Sequence, residues 1–263
     1  MTILDLVDRY YIKKPRFRKF VSTILYGNKN IPIQFFGTSL YINTVKENGY
    51  FRASKHSKKN IVFRDELTVL LNLSGLVSGN STFVDVGANV GLFSSTLGRF
   101  KKIYPSFLIY AFEANPDTYN RLVESVKNLS VNTFNLAISN KDTELEFVEG
   151  AVSGVFAEKS HANTYHYKNS KITKIKAKRL DQLDISGNSI ILKIDVEGHE
   201  YEVLEGAIGL FEENRIKAVY LDGYQNQEKV ISLLTKYNFT FFNGRTLTEK
   251  EKDNFSLLAL RQN

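Results

Sequence analysis

Short apolar runs alternate with amphipathic stretches along most of the chain, and this rhythm predicts its elements. Apolar segments at 82–86, 107–112, 131–138, 190–195 and 216–221 read as strands, with helices after most of them. Such alternation argues for a parallel sheet with right-handed crossovers. The end of the chain differs. Phe239 to Phe242, a turn at Asn243-Gly244, and Phe255 to Leu260 predict an antiparallel closing pair. Ahead of the first strand, residues 1 to 26 read as two helical pieces broken at Pro15. Ile31 to Asn43 reads as a hairpin turning at Gly37 and Thr38, and Arg64 to Ser74 as a helix with Leu67, Leu70 and Leu71 on one face. Residues 143 to 180 add strand-like sequence around a polar loop that holds His161, Tyr165, His166 and Tyr167. Internal repeats, low-complexity tracts and flexible linkers are absent from the sequence.

Three of the apolar strands end in acids. Phe83 to Phe93, FVDVGANVGLF, runs through Asp85 into Gly87, Asn89 and Gly91 and then into helix-like sequence. This is the pattern of a buried strand that turns tightly beneath a ligand, where a side chain would block the turn or the approach. The glycine spacing is not that of a dinucleotide fingerprint, and no phosphate-cradling G-x-x-x-x-G-K-[ST] string occurs. A carboxylate at the strand tip would repel a pyrophosphate, but it suits a cationic ligand. S-adenosylmethionine fits: it is positive at sulfur and at its amino group, and its ribose hydroxyls need a second acid. Phe107 to Pro116, FLIYAFEANP, supplies that acid as Glu113. The third segment, Ser189 to Ala207, is again strand, polar turn and helix.

At this point the chain resembles the FkbM-type S-adenosylmethionine-dependent methyltransferases. The resemblance rests on FVDVGANVGLF, on Ala111 to Leu122, on Asn135 to Ser139, on Arg179 to Leu183, and on KIDVEGHE from Lys193 to Glu200, in the family's order across roughly residues 62 to 261. It implies an α/β fold with the Rossmann-like class I methyltransferase sheet, mostly parallel with an antiparallel last strand. Here that sheet would follow an N-terminal helix and hairpin extension. The boundary falls between a basic extension, residues 1–61, and a methyltransferase domain, residues 62–263. The reversed ending favours this sheet over the dinucleotide fold, whose strands are all parallel. The resemblance further implies O-methylation, often of sugars or of glycan and natural-product hydroxyls. Asp85, Gly87, Asn89 and Gly91 would line the methionine end of the cofactor, Glu113 would take the ribose, and Asn115 with the backbone at Ala137 would lie at the adenine. Glu66 matches an acid that family members often carry shortly before the glycine turn. It would bind the cofactor's amino group, or else pair with Arg64 or another surface base.

Methyl transfer to oxygen requires alignment, exclusion of water and acceptance of one proton. Alternation places Lys193 on the same face as Asp195, and a lysine in an apolar strand must find a carboxylate. Asp195, Glu197 and Asp85 are the candidates. Lys193 then either neutralises these acids or handles the acceptor proton. Asp195, at the strand tip, is the leading base or substrate-binding group, and Glu197 and His199 open the next helix. The Asp-x-Glu pair would also suit a divalent cation that acidifies the hydroxyl, but two carboxylates and one imidazole make a thin site. The metal-free reading is preferred. Asp222 and Asp181 read as strand-end or helix-cap acids.

Charge changes the picture only at the front. The net charge is +7, yet residues 1 to 60 hold twelve Lys/Arg against three Asp/Glu, leaving 23 against 25 in the remainder. The runs at 13–19 and 55–59 would meet phosphates, an anionic glycan carrier or a membrane surface, or form a solvated basic face. A nucleic-acid methyltransferase is the competing enzyme reading. It is disfavoured because base-methylating enzymes carry an N-P-P-[YF]-like string where this strand ends in D-V-E-G. A non-catalytic binding module on the same fold would have lost acids at 85, 113 or 195, and all are present. There is no cysteine, no apolar run approaches a membrane span, and the N-terminus carries two early acids over too short an apolar run for a secretory signal. The expectation is a cytoplasmic protein, with peripheral membrane contact through the basic front as an open alternative.

Overall fold

The computed structural model describes residues 15–55, 64–148, 155–156, 172–224, 226–248 and 256–262. The helical piece expected before Pro15, the basic residues at 56–59, and the loop with His161, Tyr165, His166 and Tyr167 lie outside the described residues.

Among the described residues the main sheet has seven strands, β3 (Thr82–Val86), β4 (Leu108–Phe112), β5 (Asn132–Phe134), β10 (Ile190–Ile194), β11 (Ile216–Asp222), β12 (Phe239–Asn243) and β13 (Ser256–Arg261). Their spatial order is β12-β13-β11-β10-β3-β4-β5. β13 runs antiparallel to both neighbours, and the pairs between β11 and β5 are parallel. This is the class I methyltransferase sheet with its reversed last strand. β3 and β10 are buried at every residue, which is why both read as apolar runs rather than as alternating strands. The chain leaves β3 toward β4 and β5, then returns to the other side of β3 with β10. The strand order therefore reverses between β3 and β10, and in open α/β sheets the ligand crevice lies at the carboxyl ends of the strands at such a point.

The two faces of the sheet are distinct. Val84, Val86, Leu192, Ile194 and Leu221 face one apolar cluster. Phe83, Ile191 and Tyr220 face another, which they share with Ile33, Phe35, Leu40, Ile42 and Phe51 of the N-terminal segment. That segment comprises α1 (Pro15–Tyr26), β1 (Asn30–Phe35), β2 (Thr38–Asn43) and α2 (Asn48–Lys55). The predicted hairpin is present, but its two-residue turn is Phe36-Gly37, one residue earlier than expected. Both turn residues have positive φ, 46° and 74°, as the twist of a tight hairpin favours. Alternation then has a consequence for function. Asp85, Lys193 and Asp195 have odd numbers like Phe83 and Ile191, so they lie on the face that the hairpin and α2 cover.

Two other expectations change in detail. The predicted strand at 131–138 is divided: β5 stays in the main sheet, whereas β6 (Ala137–Ile138) joins a second sheet in the order β6-β9-β7-β8, with β7 (Thr143–Val148), β8 (Val155–Phe156) and β9 (Ile172–Lys178). Between the two, Asn135 Nδ2 donates to the carbonyls of Glu113 and Ala114, ending the ladder and letting the chain depart. In α3 (Arg64–Ser74) the buried residues are Val69, Leu70 and Leu73, while Leu71 is 63% exposed. The i, i+3, i+4 spacing of 69, 70 and 73 defines one stripe, and Leu71 falls outside it.

The hairpin is latched to α5 (Pro116–Val126), which Asn115 caps by accepting from the amides of Asp117 and Thr118. Tyr41 N donates to Ser125 Oγ at 2.8 Å. Arg121, with its side chain 2% exposed, pairs with Glu47 at 2.8 Å and with Asp117 at 2.8 Å, and Lys46 also pairs with Asp117. Removing Glu47 leaves buried Arg121 with only the half-exposed Asp117 and one Nη2 donor short of a charged acceptor, so Glu47→Ala is expected to cost about 2 kcal/mol. The urea-unfolding midpoint measures this, with Lys127→Ala as an exposed control.

Candidate active site

The glycine turn after β3 is set by neighbouring backbone. A Cβ on Gly87 would lie 1.9 Å from the carbonyl oxygen of Asp195, and Gly87 has φ +74°. Gly91 is buried at φ +89°, and its Cβ would meet Leu122 Cδ1 of α5 at 2.7 Å. Both glycines are therefore required by the close packing of protein on protein as well as by their positive φ. Between them Asn89 is exposed in the left-handed region at φ 52°, which asparagine tolerates well. The amides of Gly87 and Ala88 both donate to the carbonyl of Phe112, tying the turn to β4.

Beneath this turn lies a buried charge cluster. In register, Lys193 of β10 stands between Asp85 of β3 and Tyr220 of β11. Lys193 Nζ is 3.1 Å from Asp85 Oδ1 and 3.7 Å from Asp195 Oδ2, and it donates to the carbonyl of Gly87 at 2.9 Å. It also lies 5.2 Å from the centre of the Phe93 ring. Burial works against the ammonium, but Asp85 and Asp195 outweigh it and hold its pKa above the ordinary lysine value. Asp85 is completely buried, and Ser94 Oγ donates to its other oxygen at 2.7 Å. Asp85 is thus one of the carboxylates expected to pair with Lys193, and Ser94 takes up its other oxygen.

Asp195 is the exposed member of the cluster, with about a third of its side chain accessible (35%). Burial pushes its carboxyl up to about 7; Lys193 pulls the other way, and Asp222, Glu197 and Asp85 add to the rise. Asp222 is exposed at the carboxyl tip of β11, two positions beyond Tyr220, whose hydroxyl donates to it at 2.9 Å. The sequence reading set Asp222 aside as a strand-end acid, although it follows an apolar strand just as Asp85, Glu113 and Asp195 do. That shared signature was the available signal. Tyr50 of α2 was also missed, and nothing in its local sequence marks it. Burial raises its phenol, and the charges of Glu66, Asp195 and Asp85 raise it further, so it belongs to the same electrostatic neighbourhood.

Glu113, at the tip of β4, accepts from the amide of Asn89 at 2.9 Å and from that of Asn115 at 2.8 Å. Burial raises its pKa more than these bonds lower it. Glu66 is likewise raised by burial, then by Asp222 and Asp65, with its own backbone bond and Arg245 opposing. Arg245 itself pairs with Asp65 at 3.1 Å. The Asn115 side-chain oxygen caps α5, and Ala137 is buried in the small sheet against Ala177.

The expected helix-start group divides. Glu197 is exposed, whereas His199 is buried, and its ring faces Ser139 Oγ at 3.0 Å and Glu202 at 3.6 Å. His199 opens the next helix as expected, at the residue before Glu200–Glu205, but its ring is turned inward. The burial has a physical cause: Glu197 and Gly198 both have positive φ, 53° and 102°, and reverse the chain between Asp195 and His199. Asp181 is a helix-start acid as expected, accepting from the amide of Gly209 and pairing with Arg179. Among the described residues, no three His, Cys, Asp or Glu side chains are grouped as a metal ion would need.

Lys193→Met keeps the length of the side chain but leaves Asp85 buried without its cation. A loss of about 3 kcal/mol is expected from equilibrium unfolding in urea. Lys193→Arg should recover less than half of it, because the guanidinium fork does not fit a site made for a compact ammonium.

Comparison with known proteins identifies the family. A family model described as a methyltransferase FkbM domain matches residues 85–241, more than half of the chain. The hexuronic acid methyltransferase AglP of Haloferax volcanii is 24% identical over 184 residues, covering 68% of this chain and 70% of that protein. A tRNA(Phe) (4-demethylwyosine(37)-C(7)) aminocarboxypropyltransferase of Methanocaldococcus jannaschii is 35% identical over 83 residues, covering 31% of this chain and 32% of that protein. Among solved structures, magnesium protoporphyrin IX methyltransferase from Synechocystis PCC 6803 is 13% identical with a TM-score of 0.44, covering 82% of this chain and 91% of that one. The matched family region runs from Asp85 through Lys193, Asp195 and Asp222 into β12, and the chain belongs to the FkbM methyltransferase family.

Proposed function

We propose that this methyltransferase uses S-adenosylmethionine to methylate a hydroxyl group of a sugar, a glycan or a similar polyhydroxylated acceptor. The observation that carries the reading is Asp195, a carboxylate raised to about 7 at the sheet edge and partly open to it. An alcohol must lose a proton on methylation, whereas a carboxylate acceptor need not. A base with a pKa near neutrality suits the first task. The name of the Haloferax relative, a hexuronic acid methyltransferase, supports a sugar as the acceptor class.

The residues present fit a cationic cofactor. Lys193 is already matched by buried Asp85, so Asp195, Asp222, Glu197, Glu66 and Glu113 leave the edge with an excess of negative charge. The raised pKa values of Asp195, Glu66 and Glu113 register the cost of holding those carboxylates charged when partly or wholly buried. S-adenosylmethionine carries its methyl group on a positively charged sulfur, so transfer to oxygen leaves a neutral thioether. Glu113 is suited to the ribose hydroxyls, because each of its oxygens accepts one amide and retains capacity for a further bond. Glu66 is suited to the amino group. Asn89 and the turn around it lie beside these acids, with Asn115 and Ala137 toward the adenine side. The same negative edge disfavours a polyphosphate acceptor, which argues against nucleic acid.

On the acceptor side, Lys193 holds Asp195 in place and lowers its pKa toward the working range. Asp195 accepts the proton as the hydroxyl oxygen is methylated. Asp222, oriented by Tyr220, accepts a hydrogen bond from a neighbouring hydroxyl. Glu197 lies at the outer rim. His199 acts through Ser139 and Glu202 on the shape of the loop rather than on the acceptor.

Three outcomes are expected. With a saturating acceptor, the rate should rise with pH along a limb centred near 7, since only ionised Asp195 accepts the proton, and fall away below it. Asp195→Asn should lower kcat by about a hundredfold or more while leaving affinity for S-adenosylhomocysteine, measured by calorimetry, within about tenfold. Equal loss of both would move Asp195 to cofactor binding, and failure of the wild-type chain to bind S-adenosylhomocysteine at millimolar concentration would end the reading altogether. Asp222→Asn should raise the acceptor KM by about tenfold with little change in kcat, the pattern of lost uniform binding.

A further inference from the structure

The helix α1 has its apolar residues on the outside. Ile24 is 65% exposed, Phe20 60% and Leu25 51%. Phe20 and Ile24 are four residues apart, as are Val21 and Leu25, so the two rows form one stripe along the helix. The helix is fixed to the body at its carboxyl end by a different side chain, the Tyr26 ring, which packs edge-on against Phe51 at 4.8 Å, and Thr44 Oγ1 donates to the carbonyl of Gly27 at 2.6 Å. The stripe is therefore not aimed at the core. Directly before and within its first turns come Lys13, Lys14, Arg16, Arg18 and Lys19, and residues 1 to 60 carry twelve basic against three acidic side chains.

An exposed apolar stripe on an otherwise packed protein marks an interaction surface. The charge decides which partner. We propose that α1 is an interfacial anchor on an anionic lipid bilayer, with Phe20, Ile24 and Leu25 entering the headgroup–acyl boundary and the positive charge concentrated in this part of the sequence supplying the attraction to lipid phosphates. A short amphipathic helix with a basic flank is built for this mode of binding, in which buried apolar area and electrostatic attraction add. Among the described residues no helix is long and apolar enough to cross a membrane, so the contact is to the surface of the bilayer. The hairpin and α2, which follow α1, cover the sheet face that carries Asp85 and Lys193. Docking by α1 would hold the catalytic edge near a membrane-associated acceptor. That last consequence rests on the proposed function, whereas the anchor itself does not.

The test is vesicle flotation of the full chain with phosphatidylcholine alone and with equal parts of phosphatidylcholine and phosphatidylglycerol. Wild type is expected to float with the mixed vesicles, to be released by high salt, and to ignore the neutral ones. The double substitution Ile24→Ser with Leu25→Ser preserves charge and should weaken binding about tenfold or more. Its S-adenosylhomocysteine affinity, set against wild type, reports whether the fold is kept. Absence of wild-type binding to the mixed vesicles, or unchanged binding by the serine variant, would overturn the proposal. So would a lipid-free dimer that the serine variant converts to monomer, since the stripe would then be a contact between two copies of the chain.

Discussion

The ion pair between Lys193 and Asp85 joins the two strands at which the sheet order reverses, and the rest of the site is arranged around it. Placing either charge in this apolar interior alone would cost several kcal/mol. The cost is offset by register, which sets the two side chains opposite each other, and by the Gly87 carbonyl and the Ser94 hydroxyl, which take up remaining hydrogen-bonding capacity. Because Lys193 is largely neutralised by Asp85, only part of its field reaches Asp195. Asp195 is left among acids, half in and half out of the protein, and its proton affinity rises accordingly.

The same pair bears on the glycine turn. The turn must bring the backbone of residue 87 against the carbonyl of Asp195, so that Lys193 can reach the Gly87 oxygen. A side chain at position 87 would drive β10 away from the loop after β3. Gly91 answers to a separate constraint, the packing of Leu122, and so couples the start of α4 (Leu92–Gly98) to α5. The α5 helix in turn carries Arg121, which grips Glu47 of the N-terminal segment. A chain of close contacts thus runs from the buried ion pair to the hairpin, and the segment that covers the charged face is part of the same packed unit.

This continuity alters how the basic front of the chain is understood. Its charge is concentrated before residue 60, while its apolar side chains are divided. Ile33, Phe35, Leu40, Ile42 and Phe51 are buried on the sheet, and Phe20, Ile24 and Leu25 are turned outward. Composition alone treats these as one amphipathic region. Packing separates an anchor to the protein body from a surface that faces away from it.

The sequence by itself determined the elements, the reversed last strand and the acids at the strand tips. These follow from periodicity and from the need to keep charges at the ends of buried strands. It also identified Lys193 as a lysine that must pair, because an apolar strand leaves it no other option. What it did not determine was the partner of each group. Asp85, Asp195 and Glu197 were all open as partners of Lys193, and register sets Asp85 against it; His199 opens its helix as expected, yet its ring is buried beyond a left-handed turn; Asp222 and Tyr50 were not recognised as neighbours of Asp195. Those relations join residues from distant parts of the chain through strand register and loop direction. Local pattern carries no record of either, so only the tertiary structure decided which carboxylate is matched by a cation and which is left near neutrality to accept a proton.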